Sequence, residues 1–222
     1  MIGFYNYTLV LTFLSLVSAV FGMTQASGGH FNIAVGCLAF AGLCDAFDGR
    51  VARTKKDRTD DECLFGVQLD SLCDVVAFGA FPAMLCYAMG VRGYLGGIAI
   101  SYYAICAVIR LAYFNMLETN RMQSENPGEK VFHGLPVTSI AVILPLIFLL
   151  NLVIPERIFQ AVLLMMLLAV GTCFILNFRM RRPSIRTLIL LIVGTAAAVI
   201  LAFIFSKYAV RLPLPGTRAV RS

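Results

Sequence analysis

Apolar residues run along this chain in long blocks broken by short polar stretches. A helix needs about 20 residues to cross the hydrocarbon core of a bilayer, so the blocks predict membrane-spanning helices. The first covers Tyr5 to Met23 and is broken at Gly28-Gly29. The second runs from about Phe31 into the stretch DAFDG, the third from about Leu64 to Met89, and the fourth from about Tyr94 to Leu117. The longest polar segment, Glu118 to His133, carries the turn signal Asn126-Pro127-Gly128. Spans five (about Leu135 to Val153) and six (about Ile158 to Phe178) flank Pro155-Glu156-Arg157, and a seventh covers about Ile185 to Phe205. The pattern predicts an all-α, polytopic membrane bundle, with one transmembrane domain over 1–206 and a basic tail over 207–222.

Four carboxylates interrupt this pattern where they are least expected. Asp45 and Asp48 end the second block, and Asp70 and Asp74 lie inside the third. A carboxylate in hydrocarbon costs several kcal/mol by most estimates, so four of them need a common reason. Residues three or four apart share a helix face, which pairs Asp45 with Asp48 and Asp70 with Asp74. The segment from Arg53 to Gly66 is too short to recross a bilayer, so both pairs sit at one membrane surface on antiparallel neighbouring helices. Four oxygen donors so placed suit hard divalent cations, Mg²⁺ or Mn²⁺, with Ca²⁺ able to occupy the same ligands. Ion pairing with Arg50, Arg53 or Arg58 is the plainer account, but attraction rarely repays the burial of so many charges.

Composition narrows the class. The chain has 222 residues, 59% of them hydrophobic, and a mean hydropathy of +0.85, which excludes an ordinary soluble domain. Its seven cysteines form no CxxC pair and fall mostly inside apolar blocks, where they act as small hydrophobes. Two distant histidines make a zinc site untenable. The net charge of +6 suits anionic lipid headgroups and an anionic substrate, and no nucleic-acid motif accompanies it. Basic residues gather in the segments after spans two, four and six, so the positive-inside rule places the aspartates and the N-terminus in the cytoplasm. The tail disagrees: seven spans put it outside, yet it holds Lys207, Arg211, Arg218 and Arg221. The first span lacks a basic leader and a small-residue cleavage site, and reads as a retained helix.

The spacing D-x2-D-G-x2-A-R, followed by G-x3-D-x3-D, resembles the motif of the CDP-alcohol phosphotransferase family of membrane enzymes. Asp45, Asp48, Gly49, Ala52, Arg53, Gly66, Asp70 and Asp74 fill its eight fixed positions, with twelve residues between Arg53 and Gly66. The resemblance implies a six-helix core, here with about one further C-terminal helix, two bound cations, a CDP-linked substrate and a homodimer. It makes Asp45, Asp48, Asp70 and Asp74 metal ligands and Asp74 the general base. Gly49, Ala52 and Gly66 would leave room for the nucleotide, and Arg53 would fork onto its phosphates. The elements LDSLCDVVAFGAFPA, RLAYFN and FHGLPVTS resemble the phosphatidylserine synthase branch of that family, which joins CDP-diacylglycerol to L-serine. Arg110 then becomes a candidate clamp for the serine carboxylate, with Asn115, Lys130 and His133 as further candidate contacts. The first helix lacks the T-x2-N element of family members, and no nucleotide contact is assigned there.

Two other readings stay open. The same chemistry with glycerol 3-phosphate or inositol phosphate should demand more basic residues than Arg110, Arg121 and Lys130 around the acceptor. A divalent-cation transporter would also use intramembrane carboxylates, but near mid-membrane and often with inverted repeats.

Overall fold

A computed structural model describes residues 3–4, 6–52, 55, 59–122, 132–177, 179–180 and 194. Helix α1 spans Val10–Ser27 behind a 3₁₀ turn at Tyr7–Leu9, and α2 spans Phe31–Ala52. Helix α3, Asp60–Asp74, runs through a π-helical segment, Val75–Ala80, into α4, Phe81–Ala88. Helix α5 covers Gly93–Met122, α6 Ile140–Phe148 and α7 Glu156–Ile175. Strands β1, Phe132–His133, and β2, Arg179–Met180, form one short antiparallel pair. The all-α bundle expected from the sequence is therefore present. Among the described residues, five helices are long and apolar enough to cross a membrane.

The boundaries differ from the expected ones for local reasons. Helix α3 begins four residues before Leu64 because Thr59 caps it, its side chain accepting from the Glu62 backbone N–H at 3.3 Å. Asp60, Asp61 and Glu62 then occupy the first turn, where carboxylates complement the helix dipole. The expected fifth span is a composite: a 3₁₀ turn at Val137–Ser139, then α6, then a 3₁₀ turn at Leu149–Leu152. Pro145 sits inside α6 and cannot donate a helical hydrogen bond. The seventh span lies outside the described residues, Gly194 apart.

Two sharp reversals keep neighbouring helices antiparallel. After α1, His30 N–H donates to Gln25 O at 2.9 Å and Gly29 N–H to Ala26 O at 3.1 Å. After α4, Val91 N–H donates to Cys86 O at 3.0 Å and Gly90 N–H to Tyr87 O at 3.1 Å. Both are Schellman closures, and each needs a positive φ that glycine supplies: 79° at Gly29 and 108° at Gly90.

Lipid tails are as apolar as leucine, so membrane helices associate through close packing of small residues. Thr12, Ser15, Ala19, Gly22 and Ala26 form a buried stripe along α1. A methyl group on Gly22 would overlap Phe81 and Cys37, and one on Gly42 would overlap the Ala141 side chain. These glycines set the distance of α2 from α1 and α6. The large apolar side chains of α1, including Phe13, Val17 and Phe21, point outwards.

The π-helical turn follows directly from Asp74 and is stabilised by a neighbour. Pro82 has no N–H to give the Phe78 carbonyl four residues earlier. The Tyr103 hydroxyl of α5 donates to that oxygen at 2.6 Å, and both Tyr103 and Phe78 are fully buried. Tyr103→Phe should therefore leave a carbonyl unsatisfied and lower the stability by about 1–3 kcal/mol. Thermal unfolding of the purified protein in detergent measures this, and an unchanged midpoint would contradict the account.

Candidate metal centre

The site is built from the C-terminal parts of α2 and α3, with Asp74 the last residue of α3. Asp45 meets Asp74, and Asp48 meets Asp70, side chain to side chain. That is an antiparallel register, and the Lys55–Glu62 ion pair at 2.9 Å continues it towards the connecting loop. The expected antiparallel neighbouring helices and shared faces are thus observed. One carboxylate oxygen each from Asp45, Asp70 and Asp74 lies within 4.8 Å of the others. Asp48 and Asp74 are buried, and the Gly49 backbone N–H reaches the Asp48 carboxylate.

The arrangement fits divalent cations on its own evidence. Paired buried carboxylates must either share protons or hold a cation between them. Among the described residues no lysine or arginine meets any of the four, while the side chains of Arg50, Arg53 and Arg58 lie outside that set. Asp70 Oδ1 is buried and has no hydrogen-bond partner. An all-oxygen donor set with one carboxylate oxygen left free is what Mg²⁺ or Mn²⁺ binds.

One residue that sequence reasoning passed over stands beside the carboxylates. The buried Thr12 hydroxyl of α1 reaches Asp70. A signal for it was present. Thr8, Thr12 and Ser15 extend the small-residue stripe Ala19, Gly22 and Ala26 at alternating steps of three and four, on a helix otherwise lined with large side chains. Ser15 Oγ is buried without a partner on the same stripe.

Gly49 and Gly66 occupy a different environment from Gly22 and Gly42. Among the described residues a Cβ on either would meet nothing within 4 Å, so no described helix packs against them there. Ala52 closes α2, its side chain outside the described set, and Arg53 and Lys130 lie outside the described residues. His133 is in β1, its backbone opposite Arg179, and its side chain is likewise not described.

Helix α5 brings the other candidates alongside α3. Asn115 Oδ1 accepts from the Ser71 hydroxyl at 2.5 Å, and Asn115 Nδ2 donates to Gln68 Oε1 at 3.5 Å. The antiparallel α5 meets the third span through Asn115 at Ser71 and Tyr103 at Phe78, and Arg110 lies between these two contacts along α5. Arg110 is buried, only 7% exposed. Its Nε donates to Leu135 O at 3.1 Å, and among the described residues no carboxylate pairs with it. Leu135 is itself tied down by its N–H to Cys173 O at 3.4 Å.

Comparison with known proteins gives a consistent picture. Residues 5–174 match the family described as CDP-alcohol phosphatidyltransferase. The Saccharomyces cerevisiae CDP-diacylglycerol–serine O-phosphatidyltransferase is 33% identical over 135 residues, 60% of this chain and 47% of the relative. The Methanothermobacter thermautotrophicus archaetidylserine synthase is 34% identical over 134 residues, 60% of this chain and 53% of the relative. A Helicobacter pylori CDP-diacylglycerol–serine O-phosphatidyltransferase is 32% identical over 149 residues, 66% of this chain and 59% of the relative. The chain thus spans about half the length of the known relatives it matches.

The two classes of glycine should separate in stability. Gly66→Ala adds a methyl into open space and gains helix propensity of up to about 1 kcal/mol, so the unfolding midpoint should hold or rise. Gly42→Ala forces overlap between α2 and α6 and should cost about 1–3 kcal/mol. Equal losses in a detergent melt of the two variants would show that Gly66 is a packing residue after all.

Proposed function

Because the chain belongs to the CDP-alcohol phosphatidyltransferase family, we propose that it transfers a phosphatidyl group from CDP-diacylglycerol to the hydroxyl of L-serine, releasing CMP. The observation that carries this reading is the antiparallel register of the two aspartate pairs, beside which α5 carries a buried arginine with no acid partner among the described residues. Asp45, Asp48, Asp70 and Asp74 would hold the cations. When bound, Mg²⁺ or Mn²⁺ supplies neutralisation of the pyrophosphate and of the charge that develops in transfer.

The chain's own groups do the rest. Arg110 spends Nε on the Leu135 carbonyl, which fixes the plane of the guanidinium and leaves its terminal nitrogens for a carboxylate. A serine held there would present its hydroxyl near Asp74. A carboxylate oxygen of Asp74 accepts the hydroxyl proton as the new oxygen–phosphorus bond forms and the bond to the CMP oxygen breaks. Gly49 and Gly66 would keep the nucleotide's path open, since no described side chain lies within 4 Å of a Cβ built on either. Arg53 follows α2 at the loop end of the site and would pair with a substrate phosphate. The relatives' names support serine as acceptor, and the single buried arginine on α5 agrees with a carboxylate ligand. We place the reaction at the cytoplasmic face of a cell membrane by the distribution of basic residues. A homodimer is the assembly that the family implies.

The test is CMP release by the purified chain with CDP-diacylglycerol and each acceptor in turn. Serine should support release, which chelator abolishes and Mg²⁺ or Mn²⁺ restores. Arg110→Ala should raise the serine KM roughly ten- to hundredfold, the usual cost of a lost charge-assisted contact. Arg110→Lys should recover part of it, because the charge remains without the fork. Release with glycerol 3-phosphate or inositol phosphate but not serine would move the acceptor assignment, and an unchanged serine KM in Arg110→Ala would remove Arg110 from the site.

A further inference from the structure

We infer that Asn115 is a positioning residue, which fixes the rotation of α3 and thereby aims Asp70 and Asp74 at α2. The inference rests on the metal-centre reading above and assigns Asn115 a task other than touching substrate. Its carboxamide accepts from Ser71 and donates to Gln68, two residues one turn apart on α3. A carboxamide carries an acceptor oxygen and a donor nitrogen side by side, and so makes both bonds at once.

The geometry explains why this grip matters to the carboxylates. With 3.6 residues per turn, Gln68 and Ser71 share one face of α3, while Asp70 and Asp74 share a face about a third of a turn away. Two contacts on the first face leave α3 little freedom to roll, so the second face stays turned towards Asp45 and Asp48. A roll of a few tens of degrees would carry Asp70 and Asp74 away from their partners, since a point at side-chain radius on a helix about 10 Å across moves by ångströms. Ser71 is buried, and its bond to Asn115, at 2.5 Å, is the short one.

Other described contacts tie α3 at other positions: Lys55 pairs with Glu62, and Phe4 packs against Phe65. Thr12 reaches α3 at Asp70 itself, a ligand and not the face that Asn115 holds. Tyr103 grips the π-helical segment beyond Asp74, on the far side from Ser71. Asn115 and Tyr103 therefore hold the span on either side of Asp74, and Asn115 is the one beside the ligands.

The experiment titrates Mn²⁺ into the purified full chain and follows binding by electron paramagnetic resonance, for wild type, Asn115→Ala, Ser71→Ala and the double variant. Groups that orient metal ligands typically account for ten- to hundredfold in affinity. Each single variant should bind Mn²⁺ about tenfold more weakly, and the double variant no more weakly than the worse single, because both remove the same hydrogen bond. The metal concentration for half-maximal CMP release should rise in parallel, with the serine KM at saturating metal unchanged. Ser71→Ala loses only a hydroxyl, so it reports even if Asn115→Ala folds poorly. Wild-type Mn²⁺ affinity in both variants overturns the inference, whether or not yield falls; a raised serine KM with unaltered Mn²⁺ binding makes Asn115 an acceptor contact instead. Wild-type protein that binds no Mn²⁺ removes the metal-centre reading itself, and this inference with it.

Discussion

Four carboxylates meeting between two apolar helices repel one another unless a positive charge joins them, and the rest of the structure is arranged around that repulsion. Asp45 meets Asp74 and Asp48 meets Asp70 in one antiparallel register. Burial raises the cost, because water cannot screen the charges. The helices that carry them are tied at several points away from the charges themselves. Lys55 and Glu62 bridge the ends of α2 and α3, Thr12 of α1 reaches Asp70, and α5 grips the third span through Asn115 and Tyr103. The bundle thus supplies from outside the cluster the rigidity that the cluster cannot supply for itself.

Small residues make this enclosure possible. Gly22 and Gly42 let α1, α2, α4 and α6 approach where any side chain would collide. Gly49 and Gly66 are left uncovered, so the same residue type closes the core at one level and keeps space beside the carboxylates at another. Arg110 belongs to this second group of features. It is a buried cation oriented by a backbone carbonyl and not neutralised by any described acid, which is an unusual state for arginine unless an anion visits.

The carboxylate pairing was legible because it depends on short-range spacing: three and four residues within each pair, and a connection too short to cross a bilayer. Among the described residues, helix existence was equally legible from block length. The π-helical segment was not, since its cause is shared between Pro82 and a hydroxyl on another helix, Tyr103, that no local pattern connects to Phe78. The role of Thr12 was concealed by looking for a family element in the first helix instead of at the period of its small residues. The role of Asn115 was not legible, because its partners Ser71 and Gln68 are more than forty residues away in sequence. Gly49 and Gly66 could be separated from packing glycines only once the space beside them was visible.

The most direct test of the central claim is to locate the cations. Crystals or frozen-hydrated particles of the protein prepared in Mn²⁺ should show density for manganese among Asp45, Asp48, Asp70 and Asp74, confirmed in crystals by anomalous scattering. The account predicts manganese in contact with carboxylate oxygens from both α2 and α3, including the otherwise unpartnered Oδ1 of Asp70. Manganese absent from the cluster, with the four carboxyl groups bonded only to one another or to Arg50, Arg53 or Arg58, would contradict it.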